Sequence, residues 1–329
     1  MGSSELNMAR MNPRDEFYTE YKDIEAELRC YDPAQFYRKT VLLNCDDPHI
    51  SQFWKYFHKK YYHFGLRKLT CSCYKRGEHG FSAEYSGEGS LQSVYTNGVR
   101  YFSSDGSFDS PDGLQMLDHC DIVVTNPPFS RFRDFLSLLL EKKKKFIIMG
   151  NLCVLSYKDC FRAFMDGSVR IGPSIHSGDR EFLVPDSYEM DMTPVRTEND
   201  GSVVLRSGRI DPEGRKFIRV KGVRWFTNMD FMDDRRSLSF DRTFSKDDYP
   251  AFDNYPQAVN VRKTRDIPGD YDGIMGVPLS FIDHWNPDEY EIIGNEYTLG
   301  ISKGRAYVGG RRQFARIFIK RKHKKITAL

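Results

Sequence analysis

The sequence contains no long hydrophobic run, and this absence bears first on where the protein works. No apolar stretch approaches the ~20 residues that a helix needs to cross a bilayer. The polar first residues also lack the apolar segment of a secretory signal. We therefore expect a cytoplasmic protein that has no membrane as a partner. The 329 residues are enough for one large domain or two modest ones with an ample core.

Cysteine is too scarce and too scattered to form a disulfide framework. The chain has seven cysteines, an odd number spread through apolar segments, as expected of reduced thiols in a cytosol. Cys71 and Cys73 form a Cys-x-Cys pair, but no second Cys/His pair follows at the spacing of a zinc site. We therefore predict buried thiols at these positions and no bound metal.

Acidic residues are missing from the last long segment of the chain. Residues 303–325 contain ten Lys/Arg and no Asp/Glu, and residues 194–224 contain eight Lys/Arg against four acids. The net charge of +3 therefore conceals two late basic segments, which is the charge distribution expected of a polyanion-binding surface. A solvated lysine-rich tail is the alternative for the terminal run. Apolar residues interleaved with its charges predict that part of it is a packed strand: Phe314, Ile317, Phe318 and Ile319.

Helix-like and strand-like patterns alternate along the first half of the chain. Amphipathic patterns with helical spacing separate short apolar segments that predict strands at 40–45, 67–74, 99–108, 121–125 and 144–151. A Gly/Ser-rich segment at 75–90 predicts a loop or a hairpin. Strands that alternate with helices indicate an α/β protein with a parallel, doubly wound sheet.

The segment "DIVVTNPPFS" (121–130) ends an apolar strand with two prolines and an aromatic ring. Pro127 and Pro128 cannot donate to a sheet ladder and so fix a rigid turn at the carboxyl end of the strand, where ligands bind in open α/β sheets. There Asn126 offers a side-chain carbonyl, Pro127 a main-chain carbonyl, and Phe129 a face on which a planar base can stack.

This combination suits an exocyclic aromatic amine. Such an amine is a poor nucleophile because its lone pair is delocalised into the ring. A catalyst of its alkylation therefore has to accept hydrogen bonds from both amine hydrogens and hold the ring flat. Asn126 and Pro127 supply two acceptors, and Phe129 supplies the flat surface. The structural alternative is that the prolines only end a strand and that Phe129 belongs to the core.

The same motif, together with further blocks, resembles a known enzyme family. "TNPPFS" after a strand is similar to the catalytic motif of adenine-N6 DNA methyltransferases, and six blocks between residues 15 and 294 resemble the EcoRI-type enzymes in their order. The blocks are "DEFYTEYKDIEAEL", "NCDDPHISQFWKYF", "DIVVTNPPFS", "WFTNMD", "DNYPQAVNVRKTRDIPGDYDGIMGVP" and "FIDHWNPDEYEIIG".

The resemblance implies an S-adenosylmethionine-dependent, site-specific enzyme that methylates N6 of a flipped adenine in double-stranded DNA. It implies a Rossmann-like methyltransferase fold, with a doubly wound, mixed and mostly parallel sheet, and a C-terminal target-recognition region. We expect a frayed terminus or tag remnant at 1–11, a catalytic domain at 12–235 and the recognition region at 236–329. We also expect a monomer that acts in restriction-modification, beside a cognate restriction endonuclease without a stable complex, or as an orphan enzyme.

Site residues follow from the resemblance position by position. The catalytic motif is matched by Asn126, Pro127, Pro128 and Phe129. The cofactor motifs are matched by Phe17, Tyr18, Thr19, Asn44, Asp46, Asp47, Asp105 and Phe108. Two departures from the wider methyltransferase pattern stand out: no glycine follows Asp47-Pro48, and the second strand ends in Cys73 and Tyr74 instead of an acid.

Structural roles are open for several of these residues. Phe17 and Tyr18 fit core positions on an amphipathic helix, and Asp105 fits a turn. Asp46 and Asp47 fit an acidic cap on the helix that starts near residue 51, a role compatible with a ligand site.

The basic segment 194–222 reads as a hairpin-like excursion of the catalytic domain. Its Asn-Asp-Gly turn at 199–201 predicts a two-stranded ribbon, a shape that fits a DNA major groove. The predicted DNA contacts are Arg206, Arg209, Arg215, Lys216, Arg311 and Arg312. A solvated loop is the alternative for the excursion.

Rival functions share parts of this pattern. An N4-cytosine DNA methyltransferase faces the same electronic problem, although Phe at position 129 favours adenine. An RNA or protein-glutamine methyltransferase is less consistent with the basic segments and with the whole-chain resemblance. The intact motif at 126–129 argues against a non-catalytic binding module.

Overall fold

The computed structural model describes residues 18–44, 46–75, 77–88, 99–176, 178–186, 188–232, 241–301 and 304–322. The chain divides into two compact units. The first comprises Met1–Asn151 and Gly172–Met232, and the second comprises Leu152–Ile171 and Asp233–Leu329. Within the described ranges no helix is long and apolar enough to span a bilayer.

The helices and strands of the described residues are numbered in chain order. The helices are α1 (Tyr21–Leu28), α2 (Gln52–Lys59), α3 (Tyr61–Phe64), α4 (Pro111–His119), α5 (Phe132–Glu141) and α6 (Lys158–Met165). Strands β1 to β6 are Thr40–Asn44, Lys68–Cys73, Phe81–Tyr85, Val99–Tyr101, Ile122–Thr125 and Lys145–Asn151. Strands β7 to β13 are Arg170–Ile171, Asp179–Leu183, Pro194–Thr197, Val203–Leu205, Gly208–Ile210, Lys216–Lys221 and Val223–Thr227. Strands β14 to β20 are Ala251–Phe252, Tyr255–Asn260, Ile274–Pro278, Tyr290–Asn295, Tyr307–Val308, Arg311–Arg312 and Arg316–Arg321.

The central sheet of the first unit is arranged around β1. Within this unit its strand order is β4-β3-β2-β1-β5-β6-β13. β1 pairs in parallel with β2 and with β5, and β5 pairs in parallel with β6. Within this unit only β3 and β13 run antiparallel to the direction of β1, and the other strands of the sheet share that direction. This topology confirms the predicted α/β class with a mixed, mostly parallel, Rossmann-like sheet.

The path of the chain creates a ligand site in this sheet. From β1 the chain goes to β2 on one side and later returns to β5 on the other side of β1. β1 and β5 therefore flank a topological switch point, and a crevice opens beyond their carboxyl ends in sheets of this kind. The predicted catalytic motif follows β5 directly.

Apolar residues of β1 and an aromatic helix hold the sheet in place. Val41, Leu42 and Leu43 are fully buried, as expected of a central strand covered on both faces. Phe53 and Trp54 on α2 belong to the same core. Fully burying one such side chain contributes about 1.5–3 kcal/mol, so this packing fixes the strand end on which the site depends.

The start of α2 resolves one of the open alternatives. The hydroxyl of Ser51 accepts the backbone N–H of Trp54 and caps the helix. The acidic pair Asp46 and Asp47 lies before this cap and does not serve as the N-cap. Those carboxylates are therefore left for another role.

The basic excursion forms strands that belong to a second sheet of the first unit. This antiparallel sheet has the order β8-β12-β11-β10-β9. β9 and β10 are joined by the predicted turn, in which Gly201 has a φ of +87° and Glu198 N–H donates to Ser202 O at 2.8 Å. The predicted ribbon is confirmed, although it contains four strands and pairs with β8.

The second unit contains a five-stranded sheet with the order β14-β15-β16-β20-β17 and a small hairpin, β18–β19. Phe252, Ala258 and Phe318 lie in its core. β20 confirms the predicted packed strand, because Ile317, Phe318 and Ile319 are fully buried. Phe314 precedes the strand and is 88% exposed, so its predicted packing is wrong.

Two elements of the first unit differ from expectation. The strand predicted at 99–108 ends at Tyr101, because the following Ser/Asp/Gly residues form turns that replace ladder hydrogen bonds. Tyr18, which fits a core position on an amphipathic helix in the sequence, lies before the helix that begins at Tyr21 and forms a β-bridge with Leu183.

Candidate active site

The carboxyl ends of β1, β2 and β5 meet at one edge of the central sheet. Asn44 at the end of β1 lies opposite Ser72 on β2. The hydroxyl of Thr125, the last residue of β5, donates to the carbonyl of Asn44. Asp46 N–H donates to the Ser72 carbonyl at 2.9 Å. These bonds hold the three strand ends together, so residues that follow the strands converge at one edge of the sheet.

The predicted catalytic motif follows β5 at this edge. Pro127 is buried, whereas Asn126, Pro128 and Phe129 are partly exposed. Phe129 opens a short 3₁₀ helix, Phe129–Arg131, and its ring makes an edge-on contact with Phe182 at 6.2 Å between centroids. The motif thus combines a fixed backbone with side chains that reach partly into solvent. The alternative that Phe129 is simply a core residue describes it only in part, because Phe129 packs on the core and yet keeps an exposed face.

Arg131 anchors the motif loop to the loop that follows β4. Its guanidinium donates to both carboxylate oxygens of Asp109, at 2.7 and 3.2 Å, and to the Ser107 hydroxyl at 3.3 Å. It also lies over the Phe108 ring, 4.4 Å from the centroid. Hydrogen bonding to Arg131 lowers the pKa of the Asp109 carboxyl to about 2. The pair is therefore ionised at neutral pH and holds two loops of the edge in one arrangement.

Two buried acceptors lie beside the motif at the end of β1. Within the described residues, Asn44 Oδ1 and Asp46 Oδ2 are buried and accept no hydrogen bond. Burial raises the pKa of the Asp46 carboxyl to about 7, a hydrogen bond with Ser51 opposes this rise, and the Asp47 carboxylate adds to it. Buried acceptors without donors are costly. Their position at a strand end marks a place for a ligand that donates hydrogen bonds or carries positive charge.

Asp47 shapes the turn at the position where the wider methyltransferase pattern has a glycine-rich turn. Its Oδ1 accepts the N–H of His49 at 3.0 Å, and its carbonyl accepts those of Ile50 and Ser51. Of the described residues 46–50, none has a positive φ. A side-chain-braced turn therefore closes here without glycine, which explains this departure in the sequence.

Lys75 connects the Asp47 turn to the loop after β4. The ammonium of Lys75 lies 3.4 Å from Asp47 Oδ2, and the backbone N–H of Lys75 donates to the Asp105 carbonyl at 2.9 Å. Gly106, with a φ of +77°, lies so close to the end of β2 that a Cβ would stand 2.6 Å from the Cys73 carbonyl. This close approach keeps the loop after β4 beside the crevice.

The predicted cofactor residues occupy different environments. Asp105 Oδ1 accepts the N–H of Ser107, which is the turn role left open in the sequence. Phe108 is buried between Arg131 and Phe135, whose ring centroid is 4.9 Å away. Thr19 is buried with its hydroxyl 3.9 Å from the Met149 sulfur. The prediction for Phe17 lies outside the described residues. Cofactor roles for this whole set remain predictions.

The other departure concerns the end of β2. Burial raises the pKa of the Cys73 thiol to about 12, and the Asp47 carboxylate contributes to the rise. Cys71 is also buried, on the same strand. Both residues are free thiols, and neutral at physiological pH. Cys73 therefore does not supply the negative charge of the acid that the wider pattern has at this position.

The predicted DNA contacts of the first unit differ in whether they already have hydrogen-bond or ion-pair partners within the protein. Arg206 is exposed. Arg209 is bonded to Glu181 at 3.1 Å and lies over the Phe217 ring at 4.3 Å. Arg215 is paired with Asp211 at 2.6 Å, and Lys216 donates to the Asp186 carbonyl at 2.6 Å. Three of the four cations thus also stabilise their own sheet.

The predicted contacts of the second unit are more accessible. Arg311 and Arg312 form β19, the second strand of the hairpin, and both are exposed. Their backbones pair with Val308 and Tyr307. A short hairpin presents both guanidinium groups to solvent.

Sequence reasoning missed Arg131, Asp109 and Lys75. Arg131 and Asp109 lie 22 residues apart on different loops, so no spacing rule connects them. The sequence offered only a weak signal. Arg131 comes two residues after Phe129, and the acid Asp109 lies in the loop after β4.

The comparisons with known proteins agree with this geometry. The sequence profile of the family described as "Adenine-specific methyltransferase EcoRI" matches residues 5–324. The Type II methyltransferase M.EcoRI of Escherichia coli is 37% identical over 330 residues, which cover 96% of each chain. The Type II methyltransferase M.MpnI of Mycoplasma pneumoniae is 32% identical over 333 residues, which cover 96% of this chain and 98% of its own. The match spans both compact units and includes the motif beside the switch point. This chain therefore belongs to the EcoRI family of adenine-specific methyltransferases.

Proposed function

We propose that this adenine-specific DNA methyltransferase uses S-adenosylmethionine as methyl donor and performs the transfer at the carboxyl edge of β1, β2 and β5. One observation carries the proposal: Asn126–Phe129 follows β5 at the switch point, directly beside the strand end that bears Asn44 and Asp46. A donor and an acceptor of a methyl group have to meet within one crevice, and this edge is the place where the sheet offers both sets of groups.

The chain's residues fit this cofactor. S-adenosylmethionine carries an ammonium group, hydroxyl groups and a positively charged sulfur that makes its methyl group electrophilic. Asn44 Oδ1 and Asp46 Oδ2 are buried acceptors without donors among the described residues, suited to such groups. Asp47 adds negative charge on the same turn, and the loop that holds Asp105 and Phe108 closes the edge. Tyr18 and Thr19 complete the predicted set at the start of α1.

The motif residues act on the target base. Asn126 Oδ1 and the Pro127 carbonyl each accept a hydrogen bond from one N–H of the adenine amine. These bonds draw electron density towards the amine nitrogen while it attacks the methyl group. Phe129 stacks on the base and holds its ring flat, a contact that contributes about 1–3 kcal/mol. Pro127 and Pro128 fix the turn so that both acceptors are in place before the base arrives.

The substrate is double-stranded DNA from which the target adenine is rotated. A base inside the duplex cannot reach a crevice at a sheet edge, so enzymes that modify bases extrude them at a cost of a few kcal/mol. The basic ribbon β9–β12 and the β19 hairpin offset this cost through phosphate contacts. The second unit, with the chain from 236 onward, carries target recognition. The protein works in the cytoplasm as a monomer, beside a restriction endonuclease or as an orphan enzyme, without a stable complex with a partner.

Labelled methyl transfer tests this proposal directly. Purified protein is incubated with labelled S-adenosylmethionine and plasmid DNA, and the DNA is digested to nucleosides for chromatography. We expect label in N6-methyl-2′-deoxyadenosine alone. Label in N4-methyl-2′-deoxycytidine would replace the adenine assignment, and DNA without label would refute DNA as the substrate.

A further inference from the structure

The β18–β19 hairpin of the second unit is held by a carboxylate. Its turn consists of Gly309 and Gly310, with φ values of +54° and +72°, which suit a tight two-residue hairpin turn. The two N–H groups donate to the two oxygens of Asp253, at 3.0 and 2.7 Å. This clamp fixes the direction in which the following residues leave the hairpin.

The backbone after the hairpin is fixed as well. Gln313 N–H donates to the Ala306 carbonyl at 2.9 Å. The buried guanidinium of Arg316 contacts the Phe314 carbonyl at 3.4 Å and Asn260 Oδ1 at 3.2 Å. Arg316 N–H donates to Glu296 Oε1 at 2.8 Å. Phe314 therefore stands on a braced backbone although its side chain is 88% exposed.

An exposed ring on a braced backbone beside basic residues suits an occupant with matching chemistry. Among the described large apolar side chains, Phe314 is the most exposed. Arg311 and Arg312 are exposed three and two residues before it, respectively, and no Asp or Glu occurs from 303 to 325. Duplex DNA combines an anionic backbone with apolar base faces a few ångströms inside it.

We propose that Phe314 inserts its ring between base pairs of the bound duplex while Arg311 and Arg312 contact the flanking phosphates. Apolar wedges of this kind unstack a base step and kink the duplex. The braced backbone lowers the conformational cost of presenting the ring. The proposal rests on the proposed function, since it takes duplex DNA as the substrate, and it assigns a residue outside the catalytic motif to DNA distortion.

The test compares binding of the full-length protein to a duplex that carries the sequence it methylates, identified by modified-base detection. Phe314→Ala is expected to weaken binding about 10- to 100-fold, as found when a base-stacking ring is removed. Phe314→Trp should retain most of the affinity. Tyr101→Ala, which removes a ring that is 73% exposed on β4, is the matched control and should bind as wild type. Thermal midpoints should remain unchanged, and Phe314→Leu serves as second variant if Phe314→Ala unfolds.

Salt dependence separates the ring from the arginines. Phe314→Ala should lower affinity equally at all salt concentrations, because an apolar contact releases no counterions. The double variant Arg311→Ala/Arg312→Ala should flatten the salt slope by up to about two phosphate contacts.

A 2-aminopurine scan along the duplex locates the wedge. We expect two bright positions with wild type, the extruded target and the unstacked step, and only the target with Phe314→Ala. Equal affinity and an unchanged scan for Phe314→Ala would overturn the proposal. A wild-type dimer that Phe314→Ala converts to a monomer would overturn it in favour of a second copy as partner. A wild-type protein that methylates no DNA would instead contradict the proposed function.

Discussion

At the scale of single residues, the account depends most on Asn126, the side-chain amide of the rigid turn after β5. We expect Asn126→Ala to lower the rate of methyl transfer about 100- to 1,000-fold, as when one preorganised polar catalytic group is lost. Cofactor affinity should change little, because the amide acts on the base. Single-turnover methylation and isothermal titration with cofactor measure the two effects. Gln115→Ala, which removes an exposed amide on α4, is the control and should keep full activity. Full activity in Asn126→Ala would remove this residue from the mechanism.

Asp46 gives a prediction about pH. Its folded-state pKa, about 7, lies above the ordinary value of 3.8 because burial disfavours its charged form. The folded state therefore holds a proton that the unfolded state has lost, so Asp46 makes stability fall as pH rises from about 4 to about 7. Asp46→Asn should remove this fall, and its thermal midpoint at pH 8 should equal or exceed that of wild type.

Cofactor binding should respond to pH in the opposite direction. A cationic ligand prefers the ionised carboxylate, so affinity for S-adenosylmethionine should rise as pH increases through about 7. Asp46→Asn should bind more weakly and lose the pH dependence. Parallel pH profiles for the two proteins would show that Asp46 does not face the cofactor.

At the scale of elements, the Arg131–Asp109 pair joins the motif loop to the loop after β4. Its contribution to stability is expected to be small, about 1 kcal/mol or less, because the Asp109 side chain is half exposed. The Asp109 pKa is lowered, so this contribution is present above pH 4 and is lost as pH falls towards about 2. The larger effect should be on geometry.

Arg131→Gln should therefore slow methyl transfer about 10- to 100-fold while the thermal midpoint shifts by a few degrees at most. Asp109→Asn should behave similarly, and the double variant should be no slower than the worse single variant, since both remove one contact. Lys142→Gln, which breaks the exposed pair with Asp118, is a matched control and should keep its rate. Additive losses in the double variant would contradict a shared role.

The same scale shows which elements the sequence could predict. β1, β5 and β6 were predictable because apolar runs end at clear breakers such as Pro127. The sequence did not decide between a loop and a strand for β3, because glycines surround Phe81–Tyr85. Only its antiparallel pairing with β2 makes this segment a strand. The catalytic motif was readable because its chemistry lies in consecutive residues. Arg131 with Asp109, and the exposure of Phe314, depend on tertiary contacts that no local pattern records.

At the scale of the whole molecule, the two late basic segments should dominate DNA affinity. Arg206 is exposed, whereas Arg209, Arg215 and Lys216 have partners within their own sheet. Replacing all four by Ala should weaken binding and flatten its salt dependence by up to about four phosphate contacts. Arg206→Ala alone should account for about one contact and leave stability unchanged. A salt slope equal to that of wild type would assign the ribbon to another role.

Sequencing of cellular DNA identifies the base that the molecule modifies. Genomic DNA from cells that express the wild-type protein is sequenced with detection of modified bases, beside DNA from cells that express Asn126→Ala. We expect N6-methyladenine at one recurring sequence with the wild-type protein and none with the variant. N4-methylcytosine at a recurring sequence, or identical modification patterns in the two samples, would contradict it.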